Sequence, residues 1–127
     1  MDSYRTDCLV IGAGLAGAAY ALVAARAGLK VAPVSRGSDF DANSDRAQGG
    51  IIYDTAGAEG LLAQDILEAS AGSANPAAVN HLVENGPAAV EELLMGAHPV
   101  EFDREPDGSL QFTREGGHSA RRIIHAR

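Results

Sequence analysis

The chain has 127 residues, 46% of them hydrophobic, with 10 basic and 17 acidic residues and a net charge of -7. That size suits one compact domain, and the acidic balance excludes nucleic acid as a partner, since the average surface repels a polyanion. A lone cysteine, Cys8, excludes an internal disulfide and points to the reducing cytoplasm.

The first apolar run, residues 7 to 11, ends at Gly12 and reads as a strand buried on both faces of a parallel sheet, with Cys8 as a core residue. It is too short and too early broken for an export signal. Residues 15 to 27 are alanine-rich and favour helix, with Gly28 as the stop. No membrane partner is expected, because a span needs ~20 apolar residues and this segment is short and broken by Arg26. Residues 30 to 34 read as a second strand whose Pro33 argues for a strand end or an edge.

Residues 35 to 50 lack apolar periodicity and read as a long functional loop. A helix is expected from 58 to 71 on the pattern Leu61, Leu62, Ile66, Leu67. Asn75-Pro76 opens another, carrying Val79, Leu82 and Val83, and Gly86-Pro87 separates it from a third with Val90, Leu93 and Leu94. The last two are expected to form a helical hairpin. Val100, Phe102, Leu110 and Phe112 flank Pro106-Asp107-Gly108, a β-hairpin signal. The end of the chain is basic, with four arginines against one glutamate in residues 113 to 127.

Gly12-Ala13-Gly14-Leu15-Ala16-Gly17 is a GxGxxG motif placed between a strand and a helix. The first glycine permits the turn, the second admits a pyrophosphate, and the third lets helix and strand pack closely. The phosphates would sit at the positive end of the helix dipole. An acid about 20 residues further on would hold the ribose, but Ser35 and Arg36 stand there. On these residues alone the dinucleotide is undecided.

Two further segments narrow it: Asn43-Ser44-Asp45-Arg46-Ala47-Gln48-Gly49-Gly50-Ile51, and Thr113-Arg114-Glu115-Gly116-Gly117-His118-Ser119 with the trailing Arg121-Arg122-Ile123-Ile124-His125. With the fingerprint they resemble the succinate dehydrogenase, fumarate reductase and L-aspartate oxidase flavoproteins, most specifically the aspartate oxidases. The resemblance implies an α/β, Rossmann-like FAD-binding fold, a parallel sheet with flanking helices, present here incompletely. It also implies FAD contacts at Gly12, Ala13, Gly14, Leu15, Ala16, Gly17, Ser35, Arg36, Asn43, Ser44, Asp45, Arg46, Ala47, Gln48, Gly49 and Gly50. Membrane-bound relatives attach flavin through a histidine where Asn43 stands, so non-covalent FAD is expected.

Glu115 matches the residue thought to orient the substrate. Aspartate differs from succinate by an ammonium group, and a carboxylate at short range pairs with that charge. The resemblance thus implies oxidation of L-aspartate to iminoaspartate, with oxygen or fumarate as final acceptor and a link to quinolinate synthase in NAD biosynthesis. Arg114, Arg121 and Arg122 could hold substrate carboxylates or the cofactor, but salt bridging to the acidic body or to an absent domain is the favoured reading. His118 and His125 lack the companions a metal site needs, and no metal is assigned. By resemblance, residues 1 to 127 are the amino-terminal part of the FAD-binding domain, without the capping and carboxy-terminal helical domains, and are not expected to be a competent enzyme alone. The alternatives are a succinate- or fumarate-active flavoprotein and a non-catalytic nucleotide-binding fragment.

Overall fold

The computed structural model describes residues 3–37, 42–47, 49–54, 61–96 and 99–126. The chain divides into two compact units, Met1–Gln48 and Gly49–Arg127.

The first unit is a strand, helix, strand element: β1 (Cys8–Ile11), α1 (Leu15–Arg26) and β2 (Val31–Val34). β1 and β2 are parallel, with Cys8 opposite Val31 and Ile11 opposite Val34, and α1 packs on both. This is the predicted order, with boundaries shifted by a residue. Gly28, at φ +84°, takes the left-handed conformation that ends α1. Pro33 lies within β2, whose other edge is unpaired among the described residues, as suits a residue with no N–H to give.

The expected burial of β1 on both faces needs correction. Val10 is buried, but Leu9 is 59% exposed and Ile11 84%. A two-stranded sheet with one helix covers one face only, so alternate residues of the apolar run face outward. Cys8 is likewise only half-buried.

The second unit holds β3 (Gly50–Ile52), α2 (Leu61–Ala69), α3 (Pro76–Leu94) and β4 (Ile123–His125). β3 and β4 are antiparallel, with Gly50 opposite His125 and Ile52 opposite Ile123. α2 begins at Leu61, and the expected start at residues 58 to 60 lies outside the described residues.

The predicted break at Gly86-Pro87 does not occur: α3 is one helix of 19 residues with Pro87 inside it. A proline inside a helix costs about 3 kcal/mol through a lost hydrogen bond and a clash with the carbonyl four residues back. Val79 and Val90, both buried, outweigh it. Their spacing is three helical turns, which puts both on one face only if the helix runs through the proline. Asn75 caps the start by accepting from the Ala77 and Ala78 N–H groups.

The core of this unit is Tyr53, Val90, Phe102 and Ile124, with Phe112 stacked on Tyr53 at a ring separation of 6.3 Å. The Tyr53 hydroxyl donates to Glu91 Oε1 at 2.6 Å, tying β3 to α3, and this bond raises the Tyr53 pKa. The expected hairpin is present as a turn. Gly108 N–H donates to the Glu105 carbonyl, Gln111 N–H donates to the Asp103 carbonyl, and Arg104 bridges Leu110 without forming regular strands.

Candidate functional site

Each unit carries its own part of the predicted site. In the first, Gly12 leaves β1 at φ +111°, a left-handed value that favours glycine, and its N–H donates to the Val34 carbonyl. Gly17 then sits so close beneath the turn that a Cβ there would stand 2.0 Å from the Gly12 carbonyl oxygen. Gly14 caps α1 in extended conformation with no side-chain hydrogen bond of its own. The segment 42–47 closes over this turn: Ser44 Oγ accepts from the Leu15 N–H at 2.9 Å, and a Cβ on Gly14 would touch it.

These residues fit a dinucleotide diphosphate. Three glycines keep the turn free of bulk, Ser44 Oγ occupies the Leu15 N–H, no acid occupies the first turn of α1, and the helix presents its positive end there. Ser35 and Arg36 follow β2 and are exposed, and Asn43 to Ala47 form an exposed turn, with Arg46 N–H donating to the Asn43 carbonyl. The prediction at Gln48 lies outside the described residues.

In the second unit Glu115 is presented on a turn. His118 N–H donates to the Glu115 carbonyl at 3.2 Å, with Gly117 at φ +82° supplying the left-handed corner. Arg122 anchors that turn from behind. Its guanidinium is 1% exposed and reaches Asp65 Oδ2 at 2.8 Å, Asp54 Oδ2 at 3.3 Å and Ser119 Oγ at 3.3 Å. Ser119 gives both its N–H and its hydroxyl to Asp65. The Ser119 backbone N–H is the main cause holding Asp65 below the usual carboxylate range, with the Ser119 hydroxyl and Arg122 adding to it. Salt bridging, the favoured reading of Arg122, is what the structure contains. Arg114 and Arg121 are exposed and line an open groove of about 650 Å³ beside Thr113 and Ser119.

The sequence did not disclose the setting of Glu115. Its Oε1 lies 3.2 Å from His125 Nε2, which is also 3.0 Å from Thr113 Oγ1. A Cβ on Gly50 would come within 2.9 Å of both Glu115 Oε1 and His125 Cε1, so the second glycine of the AQGG segment makes room for this pair. His118 stands apart from it, its Nδ1 buried without a hydrogen-bond partner. No group of three or more metal-ligating side chains occurs among the described residues. Nor is any described helix long and apolar enough to cross a membrane.

Residues 7–127 match the FAD binding domain family. The chain belongs to that family. This FAD-binding domain chain is 43% identical over 125 residues to the L-aspartate oxidase of Halobacterium salinarum, a match covering 98% of the chain and 24% of the relative. L-aspartate oxidase 1 of Ralstonia nicotianae is also 43% identical, over 94% of the chain and 23% of its own length. The chain thus spans about a quarter of the length of these curated relatives. Among solved structures, an E. coli quinol fumarate reductase chain superposes with a TM-score of 0.83 at 25% identity, over 98% of this chain and 22% of that one. The Mycobacterium smegmatis Sdh1 complex in its apo form gives 0.82 at 26% identity, over 95% and 21%. The α/β fold expected from the fingerprint is therefore that of this flavoprotein family.

Proposed function

We propose that this chain is the amino-terminal part of the FAD-binding domain of an L-aspartate oxidase, completed in the whole protein by capping and helical domains. The observation that carries this reading is 43% identity to L-aspartate oxidases along 98% of the chain, against 25% to 26% for the fumarate reductase and Sdh1 chains. On this reading the fingerprint glycines, with Ala13, Leu15, Ala16, Ser35, Arg36 and residues 43 to 50, hold FAD. Bound FAD would supply the oxidant, the two electrons of L-aspartate oxidation leaving as a hydride, with oxygen or fumarate as the final acceptor. The chain's own residues position: the amide-rich turn before α1 binds phosphate, and Glu115 pairs with the substrate ammonium. A cytoplasmic location and delivery of iminoaspartate to quinolinate synthase for NAD biosynthesis complete the proposal.

Glu115 gives the test. In the whole protein Glu115→Gln keeps the shape and removes the charge that pairs with aspartate. Loss of a charge-assisted hydrogen bond costs about 1.5 to 3 kcal/mol, or about 10- to 150-fold in kcat/KM. Oxidation of aspartate is expected to fall by that factor while reduction of fumarate, which has no amino group, changes little. Equal loss of both activities contradicts the role.

The linkage is expected to be non-covalent, since Asn43 stands where the histidine of the membrane-bound relatives would attach flavin. Acid denaturation of the holoprotein should release all its flavin into the supernatant. Flavin retained on the precipitated chain contradicts this.

A further inference from the structure

We propose that His125 is a positioning residue for Glu115, holding one carboxylate oxygen so that the other faces the substrate ammonium. The proposal rests on the reading of Glu115 as the ammonium partner. His125 Nε2 has two oxygens around it, Glu115 Oε1 at 3.2 Å and Thr113 Oγ1 at 3.0 Å. An ionised carboxylate has no proton to give, so the ring nitrogen must carry the hydrogen that joins them. The Thr113 hydroxyl, also within 3.4 Å of the Ile123 carbonyl, can direct its hydrogen there and offer a lone pair to the same N–H. Its neighbours therefore call for a hydrogen on Nε2.

The fold places this ring deliberately. β4 pairs His125 with Gly50 in register, and only glycine at that position leaves space for the ring edge and the carboxylate together. Ile124, the neighbour on the opposite face of β4, is completely buried in the core and locks the strand. Glu115 itself stands on a two-glycine turn with its side chain 39% exposed. A carboxylate in that setting samples several rotamers unless something holds it. Freezing rotamers only when substrate arrives costs affinity, whereas a carboxylate already held binds without that cost. His125 thus acts on substrate affinity, through Glu115, and touches no reacting atom.

The experiment has two arms. Nitrogen NMR of the imidazole in the whole protein should show His125 carrying its hydrogen on Nε2, and Glu115→Gln should shift that equilibrium measurably. A ring with its only hydrogen on Nδ1, or one indifferent to Glu115→Gln, overturns the proposal. In the whole protein, His125→Leu should raise KM for aspartate on the order of 10-fold with kcat and fumarate reduction nearly unchanged. His125→Gln, which keeps an N–H donor at similar reach, should restore most of that loss. Equal loss of both activities in His125→Leu with no recovery in His125→Gln means a purely structural role and overturns the proposal. If Glu115→Gln alters the aspartate to fumarate ratio and His125→Leu does not, positioning fails alone. If Glu115→Gln leaves the ratio unchanged, the ammonium reading fails and this inference falls with it.

Discussion

Replacing Arg122 with methionine is expected to destabilise the second unit by about 3 to 5 kcal/mol, the usual cost of removing one partner from a buried ion pair. Native domains hold only about 5 to 15 kcal/mol in reserve, so the loss is a large fraction of the total. The size of the effect comes from what remains behind. Arg122 is 1% exposed, and the side chains of Asp54 and Asp65 are 10% and 12% exposed. Without the guanidinium, two carboxylates share a largely dry site, and the Ser119 hydroxyl loses one of its contacts. Methionine restores the volume but none of the charge. A drop in denaturant midpoint at unchanged slope measures the loss. A midpoint within the scatter of wild type would mean that the carboxylates find water.

The same cluster shapes the acid limb of stability. Asp65 is held low chiefly by the Ser119 N–H, so its folded pKa lies below its unfolded one. Its contribution is therefore full above the unfolded value of about 3.9 and disappears as pH falls through the depressed folded value. In Arg122→Met one of the groups holding that pKa down is gone, and the acid limb should become shallower.

Gly17→Ala is expected to lower FAD affinity of the whole protein at least about 100-fold, equivalent to about 2.7 kcal/mol. Two effects oppose each other. Alanine favours helix over glycine by about 1 kcal/mol, which alone would stabilise α1. Yet the new Cβ would lie 2.0 Å from the Gly12 carbonyl oxygen and 3.3 Å from Val10 Cγ1. The first of these is backbone and cannot swing aside, so α1 must lift from β1 and carry the phosphate-facing amides with it. Overpacking of this kind costs about 1 to 3 kcal/mol, and the misplaced turn adds to the loss in binding. Gly86→Ala makes the same chemical change inside α3 with nothing within 4 Å, and should be neutral or stabilise by up to about 1 kcal/mol. Flavin binding followed by fluorescence quenching separates the two. Wild-type affinity in Gly17→Ala would remove the packing role of the third glycine.

The first unit was legible because its chemistry is local. A short apolar run, three spaced glycines and an alanine-rich segment each constrain the backbone over a few residues, and together they specify β1, α1 and β2. The second unit was less so, because its organisation depends on distant partners. Gly86-Pro87 reads as a break until Val79 and Val90 are seen buried on one face. β3 and β4 have three residues each and pair across about 70 intervening positions, which no local pattern announces. The TREGGHS segment pointed to Glu115, but its hold by His125 arises from the register of β4 with Gly50 and was invisible in the chain order. The apolar run of β1 was read as buried on both faces, whereas the unit contains helix for only one.

The most direct test of the account is the response of the flavin to substrate in the absence of oxygen. The holoprotein containing this sequence, mixed anaerobically with L-aspartate, should lose its yellow flavin absorbance, and succinate at the same concentration should leave that absorbance intact. Bleaching by succinate and not by L-aspartate would contradict the assignment and place the chain with the succinate-oxidising flavoproteins.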